Sequence, residues 1–250
     1  MADPEVVVLP DADAVAKAAA KRFAQVTTTA VRDRGLASVA LSGGSTPLAM
    51  FHLLASPLYQ TNLPWDDIHI FWADERLVPP ESPGSNYGQA EMALLCHVPL
   101  PAANIHRMRG EWPAGKALAD YTAQLARFAE QTGDQPAAWP RMDLVLLGLG
   151  SDGHTASLFP GSPVATDLSV LPAHADYDGR PAERLTLTPP VLNAARQVIF
   201  LVTGASKAEA VAATLGDECD PLHWPAQRIQ PESGTRVWLM DEAAAEKLPS

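Results

Sequence analysis

Four polar or glycine-rich segments stand directly after apolar segments of strand length, and they hold the side chains best suited to chemistry. They are residues 42–46, 74–76, 148–154 and 203–207. In an open α/β sheet, ligands bind beyond the carboxyl ends of the parallel strands. Because four such ends would share one rim of the sheet, together they predict a ligand site at that rim.

The first segment, with the sequence Ser-Gly-Gly-Ser-Thr-Pro over 42–47, is suited to binding a phosphate group. Glycines let the backbone come close to a ligand. A helix expected from Pro47 would offer free N–H groups and the positive end of its dipole. The segment lacks the GxxxxGK[ST] pattern of nucleotide-binding loops, and a plain turn that caps the helix is the alternative. The candidate ligands of the phosphate are Gly43, Gly44, Ser45 and Thr46.

The third segment contains a candidate general base, His154, two residues after Asp152 on a glycine-rich turn. An imidazole titrates near neutral pH and can accept a proton from water, and the neighbouring carboxylate can orient the ring. Residues 148–153 fit GxGxxG, but Pro160 cuts off the long helix that a dinucleotide-binding fingerprint needs. The chain has no GxSxG motif, so a serine hydrolase triad has little support. A purely structural histidine is the alternative.

The charge balance restricts how an anionic ligand could be held. The chain has 18 Lys and Arg against 29 Asp and Glu, a net charge of −11. An anionic ligand must therefore be bound by a few cationic side chains at the site, against the overall negative charge of the protein. Lys207 stands at an expected helix start, where a cation is unfavourable unless an anion compensates it. Arg184 precedes an apolar strand and can bind oxygens in a bidentate manner. Both could instead be surface charges, and the acidic balance argues against a nucleic-acid partner.

Strand and helix patterns alternate along the chain, and several strands are continuous apolar runs, which is typical of a parallel sheet covered on both faces. The sequence therefore predicts an α/β fold, a mostly parallel doubly wound (Rossmann-like) sheet with helices on both faces, in a single domain over 1–250. Strands are expected at 6–9, 38–41, 68–72, 105–108, 143–147, 184–188, 198–202 and 236–240. Helices are expected from Asp13 as cap to Arg34, at 47–55, 87–95 and 114–131, from a capping box of Ser206 and Glu209 to Leu215, and after Asp241.

Other features narrow the class of protein. Cys96 and Cys219 form no CxxC or Cys/His pattern; both are expected to be small buried hydrophobes, and a reducing cytoplasm is the simplest location. The remaining histidines show no metal-ligand spacing. The longest apolar runs, such as 198–202, are far shorter than the roughly 18 residues of a membrane helix, and 1–10 has no signal-peptide pattern. No metal, cofactor or membrane partner is expected.

With these motifs the chain resembles the 6-phosphogluconolactonases, whose wider family includes glucosamine-6-phosphate deaminases. The resemblance spans nearly the whole chain in the expected order. The most specific motif is Gly-Leu-Gly-Ser-Asp-Gly-His-Thr-Ala-Ser-Leu-Phe-Pro over 148–160. The other motifs are residues 41–47, 74–76 with 85–87, 184–188 with 192–193, and 204–207.

The resemblance implies hydrolysis of 6-phospho-D-glucono-1,5-lactone to 6-phospho-D-gluconate without a cofactor. It implies that His154 acts as general base on the water that attacks C1, with Asp152 orienting the ring. The phosphate would lie on the glycine loop and be held by cations, and the oxyanion donors would be N–H groups near Gly44 or in the turn 150–153. The further substrate-binding residues that it implies are Asp74, Arg76, Arg184 and Lys207.

Two alternatives remain at the level of sequence. The deaminases carry an acid just before the proline that ends the third motif, and this chain has Phe159 there, which favours the lactonase. A regulator that binds sugar phosphates without catalysis is disfavoured because His154 and Asp152 are retained and no DNA-binding segment is visible. The expected partner is a small phosphorylated sugar lactone, and the expected state is a monomer or weak homo-oligomer.

Overall fold

A computed structural model gives the fold over residues 3–133, 139–163, 167–177, 179 and 181–248. Within these ranges the strands form one six-stranded and one three-stranded sheet. The strands are β1 (Glu5–Leu9), β2 (Ala37–Leu41), β3 (Ile68–Trp72), β4 (Asp74–Arg76), β5 (Leu144–Leu147), β6 (Val170–His174), β7 (Glu183–Leu187), β8 (Gln197–Val202) and β9 (Thr235–Asp241). The helices are α1 (Ala12–Arg34), α2 (Ser45–Leu54), α3 (Pro57–Asn62), α4 (Asn86–Ala93), α5 (Ala114–Thr132), α6 (Pro189–Asn193), α7 (Ala208–Leu215) and α8 (Glu242–Ala245).

The larger sheet is parallel throughout and has the order β1-β9-β8-β5-β2-β3. Its central strand β5 is buried along its whole length, as expected for a strand covered on both faces. Successive side chains of a strand point to opposite faces. Accordingly, Leu144 and Leu146 belong to one apolar cluster, whereas Val145 and Leu147 belong to another.

These two clusters form the two layers of the core. One cluster takes side chains from α1, α2 and α4, for example Phe23 and Met50. The other takes side chains from α5, α6 and α7, for example Tyr121 and Val211. Helices therefore cover both faces of the sheet, and the predicted fold class is confirmed.

The first helix shows how local signals set the bounds of an element. Gly35 ends α1 in the left-handed conformation, with its N–H on the carbonyl of Val31, as its position predicts. The predicted N-cap was wrong: Asp11, not Asp13, accepts the N–H of Ala14. Asp13 lies in the first turn of the helix, where a negative charge still favours the dipole.

The three-stranded sheet was not predicted as a separate unit. It is antiparallel, in the order β4-β7-β6. Residues 74–76, expected as the polar end of the strand at 68–72, form β4, and the expected strand near 184–188 is β7 of this sheet. Short strands of mixed polarity carry no clear periodic signal. This sheet matters for the site because it sets Arg76 opposite Arg184.

Four smaller predictions were also wrong. Instead of a strand at 105–108, only Ile105 forms a bridge, to Ile70. Helix α2 begins at Ser45, so Pro47 is its third residue, where a missing N–H still costs no intrahelical bond. Both cysteines, expected to be buried, are exposed and free. The predicted capping box does not form, because α7 begins at Ala208 after a one-turn 3₁₀ helix and has no side-chain cap.

The cap of the last helix is confirmed, because Asp241 accepts the N–H of Ala244 at 2.8 Å. The same carboxylate accepts the N–H of Gly204 at 3.0 Å and so fixes the turn after β8. In the described ranges, no helix has the length and apolar character needed to cross a bilayer.

A pair of histidines lies between β3 and α5. His69 Nδ1 and His106 Nε2 are 3.1 Å apart, and the His106 ring stacks on Phe71 with centroids 4.3 Å apart. Burial lowers the pKa of His106 to about 4, and the neighbouring His69 adds to the effect. The folded protein therefore resists protonation of this ring, whereas the unfolded chain accepts the proton near the ordinary value of 6.5.

Because the unfolded state binds this proton more readily, the free energy of unfolding should fall as the pH drops from about 6.5 towards 4. The substitution His106→Phe keeps a ring against Phe71 and removes the titrating group, so it should weaken this dependence. Urea unfolding at pH 5 and pH 7 measures it, with the exposed His97→Gln as control. An equal loss of stability in the wild type and His106→Phe would contradict the prediction.

Candidate active site

A cavity of about 230 Å³ opens at the carboxyl ends of β2, β5 and β8. The direction of the chain explains the position of this cavity. Helix α2, which follows β2, packs on one face of the sheet, and α7, which follows β8, packs on the other face. A crevice therefore remains between the starts of these two helices. Nine of the ten residues predicted from the sequence line it. They are Gly43, Gly44, Ser45, Thr46, Asp74, Arg76, His154, Arg184 and Lys207.

The tenth predicted residue, Asp152, lies behind His154. Its Oδ1 is 2.6 Å from His154 Nδ1 and accepts the backbone N–H of His154 at 3.2 Å. Burial opposes ionisation of Asp152, but hydrogen bonds from His154 and from Tyr177 outweigh burial and lower its pKa well below its ordinary value. An ionised carboxylate on Nδ1 requires the proton to be on that nitrogen, so Nε2 carries the free lone pair.

The turn that presents His154 is closed by backbone hydrogen bonds. Gly150 N–H donates to the carbonyl of His154 at 2.7 Å, and Gly153 N–H donates to the carbonyl of Gly150 at 3.1 Å. A Cβ on Gly150 would lie 2.1 Å from His154 Nδ1, so only glycine lets the ring sit here. Since both N–H groups are engaged within the turn, neither is available as an oxyanion donor.

The glycine loop after β2 is held in place by its neighbours. Thr46 Oγ1 and Thr203 Oγ1 are 2.8 Å apart, which joins the ends of β2 and β8. Ser42 Oγ donates to the carbonyl of Leu146 on β5 at 2.8 Å. The loop leads directly into the ten-residue helix α2, whose first N–H groups have no partner within the helix. The predicted anion-binding loop therefore lies on the cavity wall.

Three cationic side chains of the described residues face this cavity. Arg184 on β7 is 3% exposed, and its guanidinium lies 5.4 Å from the centre of the Phe159 ring. Arg76 on β4, its cross-strand partner, donates from Nη1 to the carbonyl of Gly84 at 2.6 Å. Lys207 stands just before α7. In a chain of net charge −11, this concentration of positive charge favours an anionic ligand.

A buried carboxylate organises the wall next to Arg76. Glu75 is 1% exposed and accepts the N–H groups of Arg76, Asn86 and Tyr87, each at 2.7 Å. Burial raises the pKa of Glu75 to about 7, although these backbone hydrogen bonds oppose the shift. Glu75 thereby fixes the first turn of α4, and with it the amide of Asn86, which donates to the carbonyl of Asp74 at 2.9 Å.

The ten predicted site residues leave out four polar residues of the cavity wall, Ser42, Asn86, Tyr177 and Thr203. Three of them had a signal: Ser42 and Thr203 begin the polar segments after β2 and β8, and Asn86 lies in the motif 85–87. Tyr177 follows β6, lies outside any helix or strand and belongs to no motif. Its hydroxyl nevertheless donates to Asp152 Oδ2, which only the structure could show.

The composition of the cavity indicates which chemistry it can perform. Among the described residues, no group of three or more His, Cys, Asp or Glu is arranged to hold a metal ion. The cavity instead combines an oriented imidazole with cations and a helix N-terminus. In an α/β protein, this arrangement is suited to general-base chemistry on an anionic ligand.

Comparison with known proteins agrees with this class. The sequence profile of the family described as glucosamine-6-phosphate isomerases/6-phosphogluconolactonase matches residues 10–238. A 6-phosphogluconolactonase of Synechocystis sp. is 44% identical over 223 residues, 88% of each chain. The structure of 6-phosphogluconolactonase from Trypanosoma brucei has a TM-score of 0.84 at 27% identity and covers 99% of both chains. The chain belongs to this family, and the resemblance seen in its motifs is confirmed.

A monomeric glucosamine-6-phosphate deaminase of the NagB superfamily is also similar, with a TM-score of 0.80 at 21% identity. The likeness covers 97% of this chain and 99% of the deaminase. At that identity it shows a shared fold alone and does not decide between the two activities.

The glycine loop yields a prediction about stability. A Cβ on Gly43 would lie 1.9 Å from Asn86 Oδ1, and Asn86 is buried and hydrogen-bonded, so it cannot move freely. Gly43→Ala should therefore destabilise the fold by about 1–3 kcal/mol. Gly115→Ala is the matched control, because no atom lies within 4 Å of its added Cβ and alanine favours the helix. Thermal melting compares them, and equal melting temperatures would contradict the prediction.

Proposed function

We propose that this chain hydrolyses 6-phospho-D-glucono-1,5-lactone to 6-phospho-D-gluconate, with His154 as general base. Family membership and the names of the relatives support the lactonase reaction. The observation that carries the assignment of the base is the pairing of His154 Nδ1 with Asp152 at 2.6 Å on the wall of a cationic cavity.

The phosphate group is held at the glycine loop. The N–H groups at the start of α2 and the hydroxyls of Ser45 and Thr46 can donate to its oxygens, while Lys207 and Arg184 supply positive charge. Arg184 offers a planar fork that matches two phosphate oxygens. Binding at this end fixes the orientation of the sugar and leaves C1 to the imidazole on the other side of the cavity.

Hydrolysis then needs only a water molecule between His154 and C1. His154 Nε2 takes a proton from the water as its oxygen attacks the C1 carbonyl, which gives a tetrahedral intermediate and an imidazolium. Asp152, held ionised, stabilises that imidazolium through Nδ1. When the intermediate collapses, the C1–O5 bond breaks and O5 receives the proton from Nε2, which yields the open acid and a neutral imidazole.

The surroundings of Phe159 favour this reaction over deamination. Its ring lies 5.0 Å from the His154 ring and beneath the guanidinium of Arg184. It therefore places an apolar surface beside the base, at the position where the deaminases carry an acid. Lactone opening by water requires no carboxylic acid at this position.

Replacement of the base tests the mechanism directly. His154→Ala should lower kcat by about 100-fold or more, because the attacking water loses its proton acceptor. Acid release from freshly made 6-phosphogluconolactone, corrected for the spontaneous rate, measures the effect. His97→Gln, at an exposed position, is the control and should be as active as the wild type. A His154→Ala protein that is folded and fully active would remove His154 from the mechanism.

The cations should contribute to binding of the phosphate rather than to chemistry. Lys207→Ala and Arg184→Lys should raise KM for the phosphorylated lactone much more than KM for unphosphorylated glucono-1,5-lactone, with smaller effects on kcat. Steady-state kinetics on both lactones measure this difference, with Lys21→Ala on the exposed face of α1 as control. Equal changes in KM for both lactones would show that neither cation holds the phosphate.

A further inference from the structure

Tyr177 contacts both Asp152 and His154. It lies in none of the sequence motifs, and the names of the similar proteins do not point to it. Its hydroxyl donates to Asp152 Oδ2, whereas Asp152 Oδ1 faces His154. The same hydroxyl lies 3.3 Å from His154 Nδ1. Since Nδ1 carries its own proton towards Asp152, the phenol proton must point to the carboxylate. Both carboxylate oxygens are therefore held, Oδ1 by the imidazole and the backbone N–H of His154 and Oδ2 by the phenol.

The ring of Tyr177 is packed as well as bonded. Its centroid lies 5.7 Å from the centroid of the His154 ring and 5.7 Å from that of Phe159. The guanidinium of Arg184 lies 6.0 Å from the Tyr177 centroid. Tyr177, which follows β6, thus places its phenol against the His154–Asp152 pair from outside the large sheet.

We propose that Tyr177 is a positioning residue that holds the Asp152 carboxylate in register with His154 and limits its basicity. The proposal rests on the proposed function, because it assigns a part in lactone hydrolysis to a residue that does not act on the substrate.

Two physical effects follow from the phenol. A carboxylate held at one oxygen alone can swing about its Cβ–Cγ bond, and a hydrogen bond to the other oxygen restrains this motion and keeps the imidazole aimed. A hydrogen bond donated to a carboxylate also favours its charged form and lowers its proton affinity. Asp152 consequently orients the imidazole without over-stabilising the imidazolium, which cannot act as a base.

Other charged groups line the same cavity and have to stay constant in the test. Asp152 lies on the same turn as His154, Arg184 comes from β7, and the remaining groups come from the strand ends. All of them are unchanged when only the phenol oxygen is removed. The charged groups that face the cavity are Asp74 and Arg76 from β4, Arg184 from β7 and Lys207 before α7.

Tyr177→Phe removes the hydroxyl and keeps the ring. We expect kcat to fall about 10-fold, by analogy with the loss seen when a group that orients a metal-ligating histidine is removed, with little change in KM. Without the phenol, Asp152 becomes more basic and the imidazolium persists to higher pH. The acid limb of the kcat/KM profile should therefore move to higher pH. Tyr59→Phe, far from the catalytic pair in sequence and on α3, is the matched control.

A second substitution acts in the opposite direction and keeps the fold. Site-specific 3,5-difluorotyrosine at position 177 has a more acidic phenol and donates a stronger hydrogen bond, so the acid limb should move to lower pH. If Tyr177 served only to pack, neither variant would shift the pH profile of kcat/KM. Unchanged profiles in both variants, or shifts in the same direction, would overturn the proposal.

A spectroscopic measurement separates this proposal from the proposed function. The imidazole Cε1–H signal of His154, assigned by its loss in His154→Gln, can be followed by NMR against pH in the absence of substrate. Its midpoint should rise in Tyr177→Phe and fall in the difluorotyrosine protein. A wild type that is inactive on the lactone would overturn the proposed function, whereas an unmoved midpoint would overturn the role of Tyr177.

Discussion

The ends of β2, β5 and β8 lie side by side because these strands are neighbours and run in the same direction. The groups of the site that follow the large sheet depend on this constraint. Segments far apart in the chain, the glycine loop near 44, the turn at 154 and the cation at 207, reach one cavity only at this edge. The hydroxyl pair of Thr46 and Thr203 joins two of these ends directly, so the spacing of the site is fixed by the sheet.

The small antiparallel sheet supplies two cationic side chains and a tyrosine that the large sheet does not carry. It carries Arg184 and Arg76 as cross-strand neighbours, and its β6–β7 connection carries Tyr177. Burying a guanidinium costs free energy unless it is paired or faces polar groups. In Arg184, aromatic rings cover one side of the guanidinium. Burial of Glu75 is likewise offset by hydrogen bonds from the backbone of α4. These costs are the ordinary consequence of gathering charge in a functional cavity.

Much of this arrangement was predictable from the sequence. The strands of the large sheet are apolar runs, and the residues that follow them are polar, so both the parallel sheet and the rim site could be inferred. The motif at 148–160 brought His154 and Asp152 together correctly. Nine of the ten predicted site residues line one cavity, and the tenth supports His154. Their roles in binding and catalysis remain predictions.

The rest could not be predicted, for physical reasons. β4 is only three residues long and polar, so it has no period to detect. Tyr177 reaches Asp152 by a tertiary contact across 25 positions of sequence, and no local pattern encodes such a contact. Asp11 and Asp13 are both suitable caps for α1, and only the structure shows that Asp11 accepts the free N–H group of Ala14. The exposed cysteines show that residue type alone does not determine burial.

The central claim is that one cavity holds the phosphate at the start of α2 and the reacting carbon at His154. A crystal structure with bound 6-phospho-D-gluconate, the product of the proposed reaction, tests this claim most directly. The account predicts the phosphate on the loop 43–46 beside Lys207, and the C1 carboxylate within hydrogen-bond distance of His154 Nε2. A phosphate bound beside His154, or a sugar bound outside the cavity, would contradict it.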